Sequence, residues 1–227
     1  MTKLPSAFSH EIDADSLVAG LYSQFETHDL IVGVNLQAGH IHFDSARMIA
    51  NTTVASGVET ANASYNSFYF APHVNFSKEI IRKDGISLIP SLSLGYTGLY
   101  VDGYSETGST ANASIASRSI HQLQARAKLG ARFDWVSDND VGYVFMPYAG
   151  LEGRIASGDI DQVTGTLAGT NITFNPGGDK NIGAAFAGLN INAKLSKTAR
   201  FESAFEAKYD RSSQFAVTGS WGVKFKF

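Results

Sequence analysis

The residues best suited to chemistry fall in a few places along this 227-residue chain. His40-x-His42-x-Asp44 puts two imidazoles and a carboxylate at i, i+2 and i+4, a spacing that brings them to one side of an extended segment. Such a trio can reach one metal ion, given a fourth ligand from elsewhere. The chain has no cysteine, so that ligand cannot be a thiolate. Polar residues also collect at strand ends simply to be solvated, and we read the trio that way, with no metal site expected. His73 and His121 have no obvious Ser or Asp partner in sequence, and no Gly-x-Ser-x-Gly elbow is present. No enzyme and no cofactor are expected. The remaining group is larger: charges recurring at every second position, among them Arg126, Lys128, Arg132, Glu152, Arg154, Glu202, Glu206 and Lys208.

A period of two is the signature of strands, whose successive side chains point to opposite faces. The end of the chain states it most clearly. Phe215, Val217, Gly219, Trp221, Val223, Phe225 and Phe227 alternate with Gln214, Ala216, Thr218, Ser220, Gly222, Lys224 and Lys226. Residues 122–135 set Leu123, Ala125, Ala127, Leu129, Ala131, Phe133 and Trp135 against Gln122, Gln124, Arg126, Lys128, Gly130, Arg132 and Asp134. The same rule runs through 185–196 and 199–210, and more noisily through 17–25, 30–43, 65–81, 86–101 and 142–156. Nine long strands are read in this way. The polar faces of the last five carry nine cations, Arg126, Lys128, Arg132, Arg154, Lys194, Arg200, Lys208, Lys224 and Lys226. Against them stand Asp134, Glu152, Glu202, Glu206 and Asp210. Cross-strand salt bridges account for the paired members of such a wall; the basic excess suits an anion or a polypeptide.

Most of these strands reach ten residues or more, where soluble strands average about 5–6. A membrane-crossing strand needs about 9–11, with aromatic girdles at both interfaces. Trp135, Tyr209, Trp221 and Phe227 suit girdles. In lipid only a closed barrel satisfies a sheet's backbone. The expected fold is therefore all-β, a transmembrane antiparallel up-and-down barrel of 10–12 strands. Composition agrees with an ordered chain: 15 Phe, 9 Tyr and 2 Trp exclude disorder. A net charge of -3 without a basic block gives nucleic-acid binding no support.

The connections alternate between short and long. Glu26–Asp29, Arg82–Gly85, Ser137–Asp140 and Ser196–Thr198 are short; Asp44–Ser64, Asp102–Ser117 and Ala156–Asp179 are long; Asp210–Ser213 is a short exception among the latter. Outer-membrane barrels keep short turns on the periplasmic side and long loops outside. The long loops are expected to be extracellular, and Gly103–Ser117 and Ala156–Gly178 read as mobile and solvated. Glu11–Leu21 is ambiguous between helix and strand. Residues 1–12 are taken as a linker remnant or a partial strand, and 13–227 as the barrel. Nine strands put the two ends on opposite sides, whereas bacterial single-chain barrels have even numbers. Residues 1–12 supply a tenth strand, or the chain is the C-terminal part of a longer polypeptide. The start lacks a signal-peptide pattern.

The run Leu94-Gly95-Tyr96-Thr97-Gly98-Leu99-Tyr100-Val101-Asp102-Gly103-Tyr104-Ser105-Glu106-Thr107-Gly108 resembles a strand leading into an Asp-Gly-Tyr loop in autotransporter translocator barrels. The Arg-bearing strand Leu123–Phe133 and the ending Tyr209–Phe227 are similar to the strands that follow it there. The resemblance covers residues 86–227 well and 13–81 loosely. It implies an outer-membrane domain that helps an N-terminal passenger reach the surface. Trp221, Val223, Phe225 and Phe227 would be the signal read by the barrel-assembly machinery. Arg126, Lys128, Arg132, Glu152, Arg154, Glu202, Glu206 and Lys208 would line the lumen. The family barrel has twelve strands, and no passenger or Asn-Asn cleavage site is visible here. The alternative is a stand-alone porin or surface-antigen barrel with binding loops.

Overall fold

The computed structural model describes residues 9–83, 86–136, 142–177, 180–196, 198–212 and 214–225. Its strands are β1 (His10–Thr27), β2 (Leu30–Ala50), β3 (Val58–Lys78), β4 (Ile81–Lys83), β5 (Ile86–Val101), β6 (Tyr104–Ser105) and β7 (Ala113–Ile115). These are followed by β8 (Arg118–Val136), β9 (Gly142–Gly158), β10 (Val163–Leu167), β11 (Thr170–Phe174), β12 (Asn181–Lys194), β13 (Ala199–Asp210) and β14 (Phe215–Phe225). The nine long ones form one antiparallel sheet in the order β1-β2-β3-β5-β8-β9-β12-β13-β14, each beside its long-strand neighbour in sequence, with β4 paired to the start of β5. This is the up-and-down order expected, and all nine strands read from alternation are present. The ambiguous Glu11–Leu21 is strand throughout, because its partner β2 pairs with every residue of β1.

Alternation decides the faces. Leu123, Leu151, Phe205 and Trp221 share one face, and Leu151 is 67% and Trp221 78% exposed. Among the described residues no large side chain is fully buried, and the buried apolar set is mostly alanine. Apolar surface thus lies outside, the reverse of a water-soluble core and what a hydrocarbon surround stabilises. Aromatic groups gather at both rims of this outer face. Trp135 packs on Tyr143 at 5.6 Å and Tyr143 on Phe145 at 6.4 Å near the turn end. Tyr96 and Tyr100 meet His121 near the loop end, where the Tyr96 hydroxyl and His121 Nδ1 are 2.7 Å apart. His121, without an obvious partner in sequence, finds one in the adjoining strand.

Local exceptions have local causes. The three strand prolines, Pro72, Pro90 and Pro147, lack the N–H that a ladder needs. The β3–β5 pairing skips Pro72, the β8–β9 pairing skips Pro147, and the register against β5 shifts by one residue between β3 and β4, beside Pro90. The turn joining β1 to β2 holds His28 and Asp29 at φ 47° and 64°. Two consecutive positive values make the primed turn whose twist suits a two-residue hairpin.

The long connections depart from expectation. Strands β2 and β3 run on to Ala50 and from Val58, leaving only 51–57 as a loop where Asp44–Ser64 was expected. The two other loops are not loose: β6-β7 and β10-β11 join into a second antiparallel sheet in the order β11-β10-β7-β6. Val163-Thr-Gly-Thr-Leu and Thr170-Asn-Ile-Thr-Phe alternate around Ala168-Gly169, whose φ values of 49° and 79° again make a primed turn. Ser137–Asp140, Asp84, Gly85, Gly178, Asp179, Ser213, Lys226 and Phe227 lie outside the described residues.

Candidate functional site

The charged face is concave, as its contacts require. Arg126 on β8 donates from Nη2 to Glu206 Oε2 on β13. Two strands lie between them, which on a flat sheet means about 14 Å. Side chains bridge that gap only where the sheet curls toward the face they share. Lys208 Nζ donating to Glu152 Oε1 at 2.8 Å, and the Tyr148 hydroxyl donating to Glu206 at 3.0 Å, each span two ladders in the same sense.

Rows across the sheet explain how these groups fit. One row reads Gly130, Tyr148, Gly188, Glu206; the next reads Lys128, Gly150, Phe186, Lys208. Each ring has a glycine beside it in its row, Gly188 for Tyr148 and Gly150 for Phe186, so the ring lies over that neighbour. A Cβ on Gly188 would stand 2.4 Å from the Tyr148 ring, and one on Gly150 2.4 Å from Phe186. Phe186 is 4% exposed and carries the Arg126 guanidinium 3.7 Å above its centroid. Glu152 is the hub of the cluster, 5% exposed. Arg126 Nη1 lies 3.8 Å from it and Arg154 Nε 3.4 Å, the latter an ion pair without hydrogen-bond geometry.

Six of the eight charged residues expected to line the interior, Arg126, Lys128, Glu152, Arg154, Glu206 and Lys208, come together here. The other two sit nearer the turn end in separate exposed pairs, Arg132 with Asp134 at 2.9 Å and Glu202 with Lys224 at 2.7 Å. Trp221, Val223 and Phe225 lie on the exposed outward face of β14, an edge strand. Phe186 and Tyr148 were missed as members of the cluster. Tyr148 falls on the polar side by alternation, whereas Phe186 breaks its strand's pattern, and that break was the available signal.

A second network sits at the loop end. Arg47 Nη2 donates to Glu106 Oε2 at 2.5 Å over Ala61, which is fully buried and small enough to let it pass. Tyr104 stacks on Tyr65 at 4.4 Å, and Tyr65 on Phe43 at 5.0 Å. Burial would raise the Glu106 pKa, but the bonds from Arg47 and the Ala113 N–H outweigh it and hold the carboxyl below its ordinary value. Glu59 accepts from the Thr110 N–H, the Thr110 hydroxyl and the Ser109 hydroxyl, which bring its pKa down to about 2. Nearby, His42 is engaged by Asn66 and Ser64 at 2.9 and 3.2 Å. Among the described residues no cluster of three or more His, Asp or Glu is placed to hold a metal ion.

A curled antiparallel sheet, apolar and aromatic-rimmed outside and charged within, is the wall of an outer-membrane β-barrel. Residues 2–206 match the autotransporter beta-domain family, and the chain belongs to it. Its fold is similar to the translocator domain of the autotransporter NalP from Neisseria meningitidis, with a TM-score of 0.58 at 20% identity over 97% of this chain and 68% of that one. The beta domain of the Bordetella autotransporter BrkA matches at 11% identity over 96% and 92% of the two chains, with a TM-score of 0.36. The transport unit of AIDA-I from Escherichia coli matches at 9% identity over 96% and 84%, with a TM-score of 0.31. No curated protein matches the chain. The protein is thus an outer-membrane translocator β-barrel domain of the autotransporter family.

Proposed function

We propose that the concave face is the surface along which the passenger segment lies while it is exported or anchored. The observation that carries this reading is the convergence of Arg126, Arg154, Lys208, Glu152 and Glu206 from β8, β9 and β13 onto one inward patch. Those charged groups are held there in fixed geometry, joined to one another across the strands. The loop end, with its second sheet, faces the extracellular side, and the short turns face the periplasm. Residues 13–227 act as one barrel unit, and His10–Ile12, which open β1, belong to the same sheet. Trp221, Val223, Phe225 and Phe227 serve as the assembly signal recognised by the barrel-assembly machinery. The chain performs no chemical catalysis: its charged residues position a polypeptide and transfer no group.

The test is protease shaving of intact cells carrying the full precursor with epitope tags in the passenger and in 168–169. Both tags should be cut from outside in the wild type. Deleting Phe227 should reduce assembled barrel and surface passenger together. A tag at 168–169 that is cut only after the outer membrane is opened would refute the orientation. Unchanged assembly without Phe227 would refute the signal.

A further inference from the structure

The inner cluster is not electrically balanced. Four cations, Arg126, Lys128, Arg154 and Lys208, face three carboxylates: Glu152 and Glu206, and Asp210, which shares the Glu152 row and interacts with Arg154. Three of the four are engaged by those carboxylates. Lys128 is different: among the described residues it has no ion-pair partner. Its Nζ lies 5.1 Å from the centre of the Tyr148 ring, a contact that holds the ammonium but does not neutralise it. It is half-buried, and it borders an inner-face cavity of about 330 Å³ lined also by His73, Ser91, Ser93, Gln124, Arg126 and Asn190. The serines and side-chain amides are uncharged groups able to donate to an anion, and Arg126 is already engaged by Glu206 and Glu152. Ser93 already donates to Asn75 at 2.8 Å, which leaves Ser91, Gln124 and Asn190 as the flexible partners.

A half-buried ammonium beside a polar cavity costs desolvation that a carboxylate would offset, since charge-assisted hydrogen bonds are about twice as strong as neutral ones. We propose that this cavity is a carboxylate subsite, with Lys128 as its cation and Ser91, Gln124 and Asn190 as supporting donors. Its ligand is an acidic side chain of the passenger-linked segment lying against the concave face. The proposal deepens, and rests on, the reading of that face as the passenger's path. The ligand is a protein carboxylate rather than a free anion. A carboxylate anchored on the passenger-linked segment is held at high effective concentration beside this ammonium, whereas a free ion exchanges with bulk salt.

The test is zero-length coupling with a water-soluble carbodiimide on the full precursor in outer membranes, followed by peptide mass mapping. The reagent activates a carboxylate, and the Lys128 amine displaces the resulting urea to form an amide with loss of water overall. We expect Lys128 joined to an Asp or Glu outside the barrel wall, with at least about tenfold more of that coupled peptide in the wild type than in the Lys128→Gln background, and no loss of it in ~100 mM acetate. The signal in the wild type should therefore be absent in Lys128→Gln and insensitive to acetate. Lys128 joined only to Glu152 or Glu206, or left uncoupled while lysines elsewhere on the barrel react, would overturn the subsite. So would coupling abolished by acetate, which would mark a sink for free anions. Passenger shaving on the same cells separates the two levels of failure: surface passenger without the Lys128 link overturns the subsite alone, and no surface passenger in the wild type overturns the path as well. The heat-dependent gel shift of Lys128→Gln, read beside the coupling, separates a folding defect from a lost subsite: coupling lost while the folded band persists supports the subsite.

Discussion

Replacing Glu152 by Gln keeps the side chain's shape and removes the carboxylate on which three cations converge. Its side chain is 2% exposed, with Lys208 Nζ at 2.8 Å, Arg154 Nε at 3.4 Å and Arg126 Nη1 at 3.8 Å. An exposed ion pair is worth about 0–1 kcal/mol, whereas removing one partner of a buried pair costs about 3–5 kcal/mol. The cations themselves are 27–29% exposed, so water relieves part of the penalty and the lower end applies, about 3 kcal/mol. The control is Glu202→Gln, which breaks the Lys224 pair where the side chains are 40% and 73% exposed, and should cost under about 1 kcal/mol. The assay is the temperature at which the folded band converts to the unfolded one in detergent gels. For a domain of this size each kcal/mol shifts the midpoint by about 2–4 °C. Glu152→Gln should therefore lower it by roughly 6–12 °C, and Glu202→Gln by under about 4 °C. In ~1 M salt the second effect should vanish and the first persist, because buried pairs are screened far less. Adding Lys208→Met to Glu152→Gln should recover part of the loss by removing one stranded cation. Equal shifts for the two single variants, or a Glu152→Gln effect erased by salt, would refute the hub.

Three further outcomes follow from the loop end and the first turn. Glu59 has its pKa lowered from 4.5 to about 2, so its anchoring of Ser109 and Thr110 is fully present above pH 4.5 and is lost as pH falls through about 2. Hydrogen exchange in 102–117, corrected for intrinsic rates, should be flat from pH 7 to 5 and rise below about pH 4, and Glu59→Gln should flatten that rise. Glu106→Gln strands Arg47 and should make 102–117 at least ~10-fold more sensitive to limited proteolysis while leaving the main sheet intact. Asp29→Gly relieves a left-handed residue worth about 1 kcal/mol, and should raise the gel-shift midpoint by about 2–4 °C. A lower midpoint would mean that the Asp29 side chain contributes more than its backbone strain costs.

What the sequence made legible follows from the physics that wrote it. Period-two alternation is imposed residue by residue wherever one face meets lipid and the other water, so all nine long strands could be read, and so could which charged residues share a face. Partnership is not written locally. Arg126 and Glu206 are 80 positions apart and meet only because the sheet curls, and nothing near Arg47 announces Glu106. The second sheet was misread for a different reason: above the membrane no apolar face has to be turned to lipid, so Ser, Thr and Gly fill strands that look like loops. The primed turn at Ala168-Gly169 between two short alternating runs was the signal to weigh. Alternation also fixes direction, and direction constrains closure. Strands β1 and β14 both run from the loop end to the turn end, and among the described residues each is paired on one side only. Joining them directly would make a parallel seam. Copies of this sheet related by an axis along the membrane normal keep that direction, so they too would meet in parallel. An antiparallel seam therefore requires an odd number of further strands between β1 and β14, and the even total usual for bacterial barrels is the same statement made from the other side.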